Sequence, residues 1–157
     1  MSRSGLGREI GKKNDFERVE EEVLLNLLRT NDQLQFRFLP LFREHGLTPS
    51  QYNVLRILRG EGRALPCLDI ASRMVTAVPG ITGLIDRLEA QGLVVRGRCE
   101  SDRRVVFVSI TEKGQALIGR IDLPLQEMQR SLLDHMSETE LRDLIRLLEK
   151  VRRIPEP

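Results

Sequence analysis

Four arginines, Arg96, Arg98, Arg103 and Arg104, cluster around a short stretch that also holds Asp102. A guanidinium is always charged, planar and able to donate paired hydrogen bonds, so this cluster suits phosphate or another planar anion. Just upstream, Pro79-Gly80-Ile81-Thr82-Gly83 opens a segment that carries Arg87. Pro79 and Gly80 keep the start of that segment slim, so backbone N–H groups can approach an anion, and Thr82 adds a hydroxyl. The chemistry on offer is anion binding. No nucleophile–base pair of recognisable spacing, Gly-rich phosphate loop or carboxylate dyad is present, so an enzyme is not expected.

Each of these residues also has a plainer use. Arg87 can pair with Asp86, Glu89 or a nearby acid, and Arg96 and Arg98 can be solvated strand residues. Asp102 would repel phosphate, so orienting neighbouring arginines suits it better than touching an anion. The two cysteines, Cys67 and Cys99, make no disulfide framework, and a structural or incidental role fits both. His45 and His135 have no cysteine or carboxylate at a ligand spacing, so neither a metal nor another cofactor is expected.

The elements that must position these groups follow from periodicity. Residues 1–13 are rich in Gly, Ser, Lys and Arg without an apolar period and read as a mobile tail. Phe16, Val19, Val23, Leu27, Leu34, Phe38 and Phe42 then recur at three- and four-residue steps to His45-Gly46, which predicts one long helix with Pro40 near its end. Thr48-Pro-Ser-Gln51 is a capping box that opens a second helix. A third is expected over about 66–75 and a fourth from Pro79 to about 91, closed by Gly92. The period then becomes two: 93–98 and 104–110 read as strands joined by a turn at 99–103. Thr111 caps a further helix bearing Leu117, Ile121, Leu125 and Met128, with Pro124 inside it. Ser137-Glu-Thr-Glu140 is the capping box of the last.

The expected fold is mainly α with a small β component, in the order α-α-α-α-β-β-α-α. Three short helices followed by a hairpin is the winged form of the helix-turn-helix, whose second helix enters the major groove of a duplex. The net charge is only +2, so the placement of charge, rather than its sum, carries the expectation of double-stranded DNA as partner. The apolar stripes of the first and last helices exceed what the central module can cover. That predicts a homodimer, the alternative being a monomer whose outer helices cover each other. The division is then 14–46 and 115–154 for dimerisation and 47–114 for the winged module. No apolar run approaches a membrane span and no signal core follows Met1, so a cytoplasmic protein is expected.

The ordered set Leu47-Thr-Pro-Ser-Gln-Tyr-Asn-Val-Leu55, Ile81-Thr-Gly-Leu-Ile-Asp-Arg-Leu-Glu-Ala-Gln-Gly-Leu-Val-Val-Arg96, Ser101-Asp-Arg-Arg104 and Ile110-Thr-Glu-Lys-Gly114 resembles the multiple-antibiotic-resistance regulator (MarR) family over about residues 16–150. The resemblance implies a triangular homodimer with interlocked outer helices. It also implies a D-x-R wing motif, here Asp102 and Arg104, whose arginine reaches the minor groove while the aspartate orients arginines. Two positions depart from the pattern. Gly83 stands where many relatives carry Arg, and Ala77 replaces a frequent Ser, which leaves Thr76 as the candidate N-cap of the recognition helix.

The function this implies is a sequence-specific transcriptional repressor on a palindromic operator, its DNA-binding residues being Pro79, Gly80, Thr82, Gly83, Arg87, Arg96, Arg98, Asp102, Arg103 and Arg104. A small aromatic or anionic effector is expected between the dimerisation helices and the winged module. Phe38, Phe42 and Tyr52 would pack it, and Arg37 or Arg56 would meet a carboxylate. The alternative is a winged-helix protein–protein adaptor whose basic wing only confers solubility.

Overall fold

The computed structural model describes residues 5–98 and 106–153. Within the expected tail lies a short helix, α1 (Gly5–Glu9), with Leu6 buried. The reading of 1–13 as featureless is corrected over that turn. Leu6 and Ile10 make one four-residue step, too little to establish a period. The long stripe folds as α2 (Val19–Glu44), with Pro40 inside it, and His45 Nδ1 lies 2.9 Å from the Leu41 carbonyl oxygen at its end.

Helix α3 (Pro49–Glu61) starts at the expected capping box. The Gln51 N–H donates to Thr48 Oγ1 at 3.2 Å, and the Thr48 N–H donates to Gln51 Oε1 at 2.8 Å. A two-residue strand follows, β1 (Leu65–Pro66), which the expected order lacked because two residues are too few to show a period. It forms a sheet edge, where the missing proline N–H does no harm. Helix α4 (Cys67–Ser72) ends earlier than expected, its Ser72 hydroxyl donating to the Asp69 carbonyl oxygen.

Helix α5 (Ile81–Ala90) begins two residues after Pro79. Gly80 takes φ 80° and ψ 57°, a left-handed conformation that cannot continue a right-handed helix. No side chain caps this end, so Thr76 does not serve as N-cap. Strands β2 (Val94–Arg98) and β3 (Val106–Ile110) pair antiparallel with Val94 opposite Ile110, and β1 joins β3 with Leu65 opposite Val108. The chain closes with α6 (Glu112–Leu133), through Pro124, and α7 (Glu138–Arg152), whose capping box pairs Ser137 with Glu140.

The core fills the space between α3, α5, the sheet and the first turns of α6. Val54, Leu55, Leu58, Leu65, Ile70, Ile85, Leu88, Val108, Ile118 and Ile121 are fully buried there. Each such side chain stabilises the fold by roughly 1.5–3 kcal/mol relative to exposure. Helix α7 buries no residue at all, although Leu144, Ile145, Leu147 and Val151 are large and apolar. No helix among the described residues is long and apolar enough to cross a membrane.

Candidate nucleic-acid interface

Helix α5 turns Leu84, Ile85 and Leu88 into the core and leaves Thr82, Gly83, Asp86 and Arg87 exposed. Pro79 and Gly80 are exposed in the turn before it. The first turn of α5 therefore presents a narrow, uncapped N-terminus with a hydroxyl beside it, which favours a negative partner. Among the described residues Arg87 forms no ion pair, although acids flank it on the same helix. Arg98 ends β2, and its side chain lies outside the described residues, as do Cys99, Asp102, Arg103 and Arg104.

Arg96 takes the acids that Arg87 leaves. Its guanidinium meets Glu89 Oε2 and Asp86 Oδ1, each at 2.6 Å, and donates to the Thr82 carbonyl oxygen at 3.3 Å. Its backbone N–H donates to Glu89 Oε1 at 3.0 Å. Partial burial works against the Arg96 charge, but the hydrogen bonds to Glu89 and Asp86 outweigh it and hold its pKa above the usual arginine value. Arg96, expected among the duplex contacts, thus engages Glu89, Asp86 and Thr82 within the protein.

The far end of α5 is anchored by Thr111, the expected cap of α6, together with Lys113 and Gly114. The Lys113 ammonium donates to the Gln91 carbonyl oxygen at 2.7 Å, closing the C-terminus of α5 with a cation. The Thr111 hydroxyl donates to the Gly92 carbonyl oxygen at 2.8 Å and accepts from the Gly114 N–H at 3.1 Å. At Gly114 an added Cβ would stand 2.3 Å from the Leu93 carbonyl oxygen, so only glycine permits this contact of α6 with the base of β2.

A cavity of about 510 Å³ lies between α2, α3, α6 and the turn joining α4 to α5. Phe38, Phe42, Tyr52 and Arg56 line it, together with Met74, Thr76 and Asp122. The Phe42 and Tyr52 rings pack at 4.9 Å between centroids. Arg37 does not belong to this cavity. It lines a second, apolar groove of about 980 Å³ between α2 and the α6–α7 pair, because successive helical residues point about 100° apart and only Phe38 faces inward.

Asp122 was missed by sequence reasoning. It accepts two hydrogen bonds of 2.7 Å from Arg59, across 63 residues of chain. These bonds hold the Asp122 carboxyl below its ordinary pKa and raise that of Arg59. Burial, with the Asp122 charge beside it, pushes the Tyr52 phenol up. Cys67 is free and half-buried at the start of α4. Among the described residues no cluster of His, Cys, Asp and Glu is arranged to hold a metal ion.

Comparison with known proteins adds an independent line. Residues 47–106 match the model of the MarR family. The homoprotocatechuate degradative operon repressor of Escherichia coli is 30% identical over 132 residues, spanning 84% of this chain and 88% of that protein. Two solved structures are each 25% identical to the chain. NadR in complex with 4-hydroxyphenylacetate superposes with a TM-score of 0.68, covering 90% of this chain and 99% of NadR. Bordetella bronchiseptica BpsR, described for regulation of its DNA binding by 6-hydroxynicotinic acid, gives 0.75 over 88% of this chain and 96% of BpsR.

Proposed function

This chain belongs to the MarR family of winged helix-turn-helix transcriptional regulators and is not an enzyme, and from that premise we propose that it is a repressor binding a palindromic operator as a homodimer. The observation that carries this reading is the exposed first turn of α5. Thr82 and Gly83 stand outward there, with Arg87 exposed further along the helix, while the opposite face is locked into the core. Pro79, Gly80, Thr82, Gly83 and Arg87 then meet the major groove and its flanking phosphates. Arg98, Arg103 and Arg104 serve the adjacent groove, with Asp102 orienting them.

The dimer uses the segments 14–46 and 115–154. Helix α7 buries nothing within its own chain, and the apolar groove beside it is continuous with exposed Val19 and Val23 of α2. A second copy laid into that groove removes both apolar faces from water. The two recognition helices are thereby held one helical repeat apart, which is what a palindrome requires. The cavity walled by Phe38, Phe42, Tyr52 and Arg56 takes a small aromatic acid; its volume falls within the range of small-molecule sites. The ligands named for NadR and BpsR are of that class.

Selection of bound duplexes from random-sequence DNA tests the central claim. The expected product is an enriched inverted repeat whose half-sites lie about one helical turn apart. Recovery of no enriched sequence at low salt contradicts the reading and favours an adaptor.

A further inference from the structure

We propose that Arg96 is not a DNA ligand but a positioning residue, which fixes the angle between the hairpin and α5 and masks two carboxylates that would otherwise face phosphate. The inference rests on the DNA-binding reading and deepens it. Thr82, Asp86 and Glu89 lie at steps of four and three along one stripe of α5, and the Arg96 guanidinium reaches all three. Glu89 in turn grips both the backbone N–H and the side chain of Arg96, so strand β2 cannot slide along α5 without breaking a pair of charge-assisted bonds. The Arg96 side chain is only 23% exposed, against 59% for Asp86 at the rim. Pulling it toward a phosphate would strip two acids of their partner at the very surface that meets a polyanion. The clasp therefore presents helix and hairpin to a duplex as one rigid body and removes repulsion from it.

This assignment inverts the usual sign of a charge substitution. Removing an acid from a DNA-facing surface ordinarily tightens binding. Here Glu89→Gln frees the hairpin and weakens binding to a selected duplex on the order of tenfold, as much as misaligning one base-reading side chain costs. Arg96→Met weakens it to a similar extent, and the double variant is no worse than either single one. Arg96→Lys discriminates most sharply. A lysine keeps the charge but cannot bridge Asp86, Glu89 and a carbonyl at once, so it falls close to Arg96→Met. A phosphate contact would leave Arg96→Lys close to the unsubstituted chain.

The experiment measures affinity for a selected duplex and for an unrelated one across a salt series, with circular dichroism melts confirming that each variant is folded. The expected result is weaker binding confined to the selected duplex, with a salt slope nearly unchanged. A slope reduced by about one per subunit in Arg96→Met, tighter binding by Glu89→Gln, or full retention by Arg96→Lys each overturns the proposal. If the unsubstituted chain selects no duplex, the DNA-binding reading fails first and this one with it.

Discussion

The Arg59 guanidinium meets the Asp122 carboxylate in a two-bond fork, both contacts at 2.7 Å, and so ties α3 of the winged module to α6 of the outer helices. Both side chains are about one-third exposed, so water screens the pair and its worth is about 1 kcal/mol or less. The fork's value lies in its position, as it fixes Asp122 in the lining of the cavity that Tyr52 shares.

Its contribution to stability has a definite pH window. Arg59 lowers the folded-state pKa of Asp122 below the ordinary 3.8. The stabilisation is therefore complete above that ordinary value and disappears as pH falls through the depressed one. Asp122→Asn, which resembles the protonated acid, should cost about 1 kcal/mol at neutral pH. Urea unfolding at descending pH should show the gap to the unsubstituted chain closing below 3.8. A gap of constant size throughout would mean that the ionic pair contributes nothing and the deficit is packing.

Gly114 offers a test of how the hairpin base is seated. An alanine there would place Cβ 2.3 Å from the Leu93 carbonyl oxygen and 2.8 Å from Ile110 Cγ1, and that backbone carbonyl, which accepts from the Thr111 N–H at the foot of the hairpin, cannot move aside cheaply. Gly114→Ala should destabilise the chain by about 1–3 kcal/mol, the ordinary cost of overpacking. Gly60, in the last turns of α3, has nothing within 4 Å of its added Cβ. Gly60→Ala should stabilise by about 0.5 kcal/mol through the unfolded state. Thermal melts of the two variants should move in opposite directions. A neutral Gly114→Ala would mean that α6 does not press on the hairpin base as closely as this geometry requires.

What the sequence could disclose was whatever is local. The capping boxes at Thr48 and Ser137 each span four residues and contain their whole physics, so the starts of their helices are legible to the residue. The stripe of α2 is legible too, but not which neighbour faces which groove, and Arg37 and Phe38 line different ones for that reason. The start of α5 lies two residues past Pro79 because proline announces a helix while Gly80 delays it with a left-handed turn. The Arg59–Asp122 fork and the choice of Arg96 over Arg87 by Glu89 are tertiary facts. Opposite charges abound in the chain, and nothing in spacing says which ones meet.

The outer helices yield a prediction about assembly. Leu147 is 49% exposed in the single chain and lines the apolar groove beside α2. Were the chain monomeric, Leu147→Glu would be a surface change worth no more than about 0.5 kcal/mol. In the proposed dimer it buries an unpaired charge in the seam. Sedimentation velocity should show a dimer for the unsubstituted chain and a monomer for the variant, with a melting temperature that no longer depends on protein concentration. A single-chain mass for both proteins would contradict the assembly.

The last prediction concerns release from DNA. The cavity is lined on one side by Phe38 and Phe42 of α2 and by Tyr52 and Arg56 of α3, and on the other by Met74, Val75 and Thr76. Those three residues lead directly into the turn that carries α5, so a ligand filling the cavity pushes on the recognition helix through covalent chain. Arg56 is exposed, with its guanidinium held 3.3 Å from Asn53 Oδ1, which places a cation at the cavity mouth for a carboxylate. Using 4-hydroxyphenylacetate as probe, titration calorimetry on the free protein and on the protein bound to a selected duplex should give two different affinities. The ratio must equal the factor by which the same compound weakens duplex binding, because linkage is reciprocal. Arg56→Gln should lower the probe's affinity about tenfold, as removal of one charge-assisted hydrogen bond does, and leave duplex affinity in the absence of ligand unchanged. Equal probe affinity in the free and bound states would exclude release by this compound however tightly it binds, since a ligand shifts an equilibrium only by its preference between the two states.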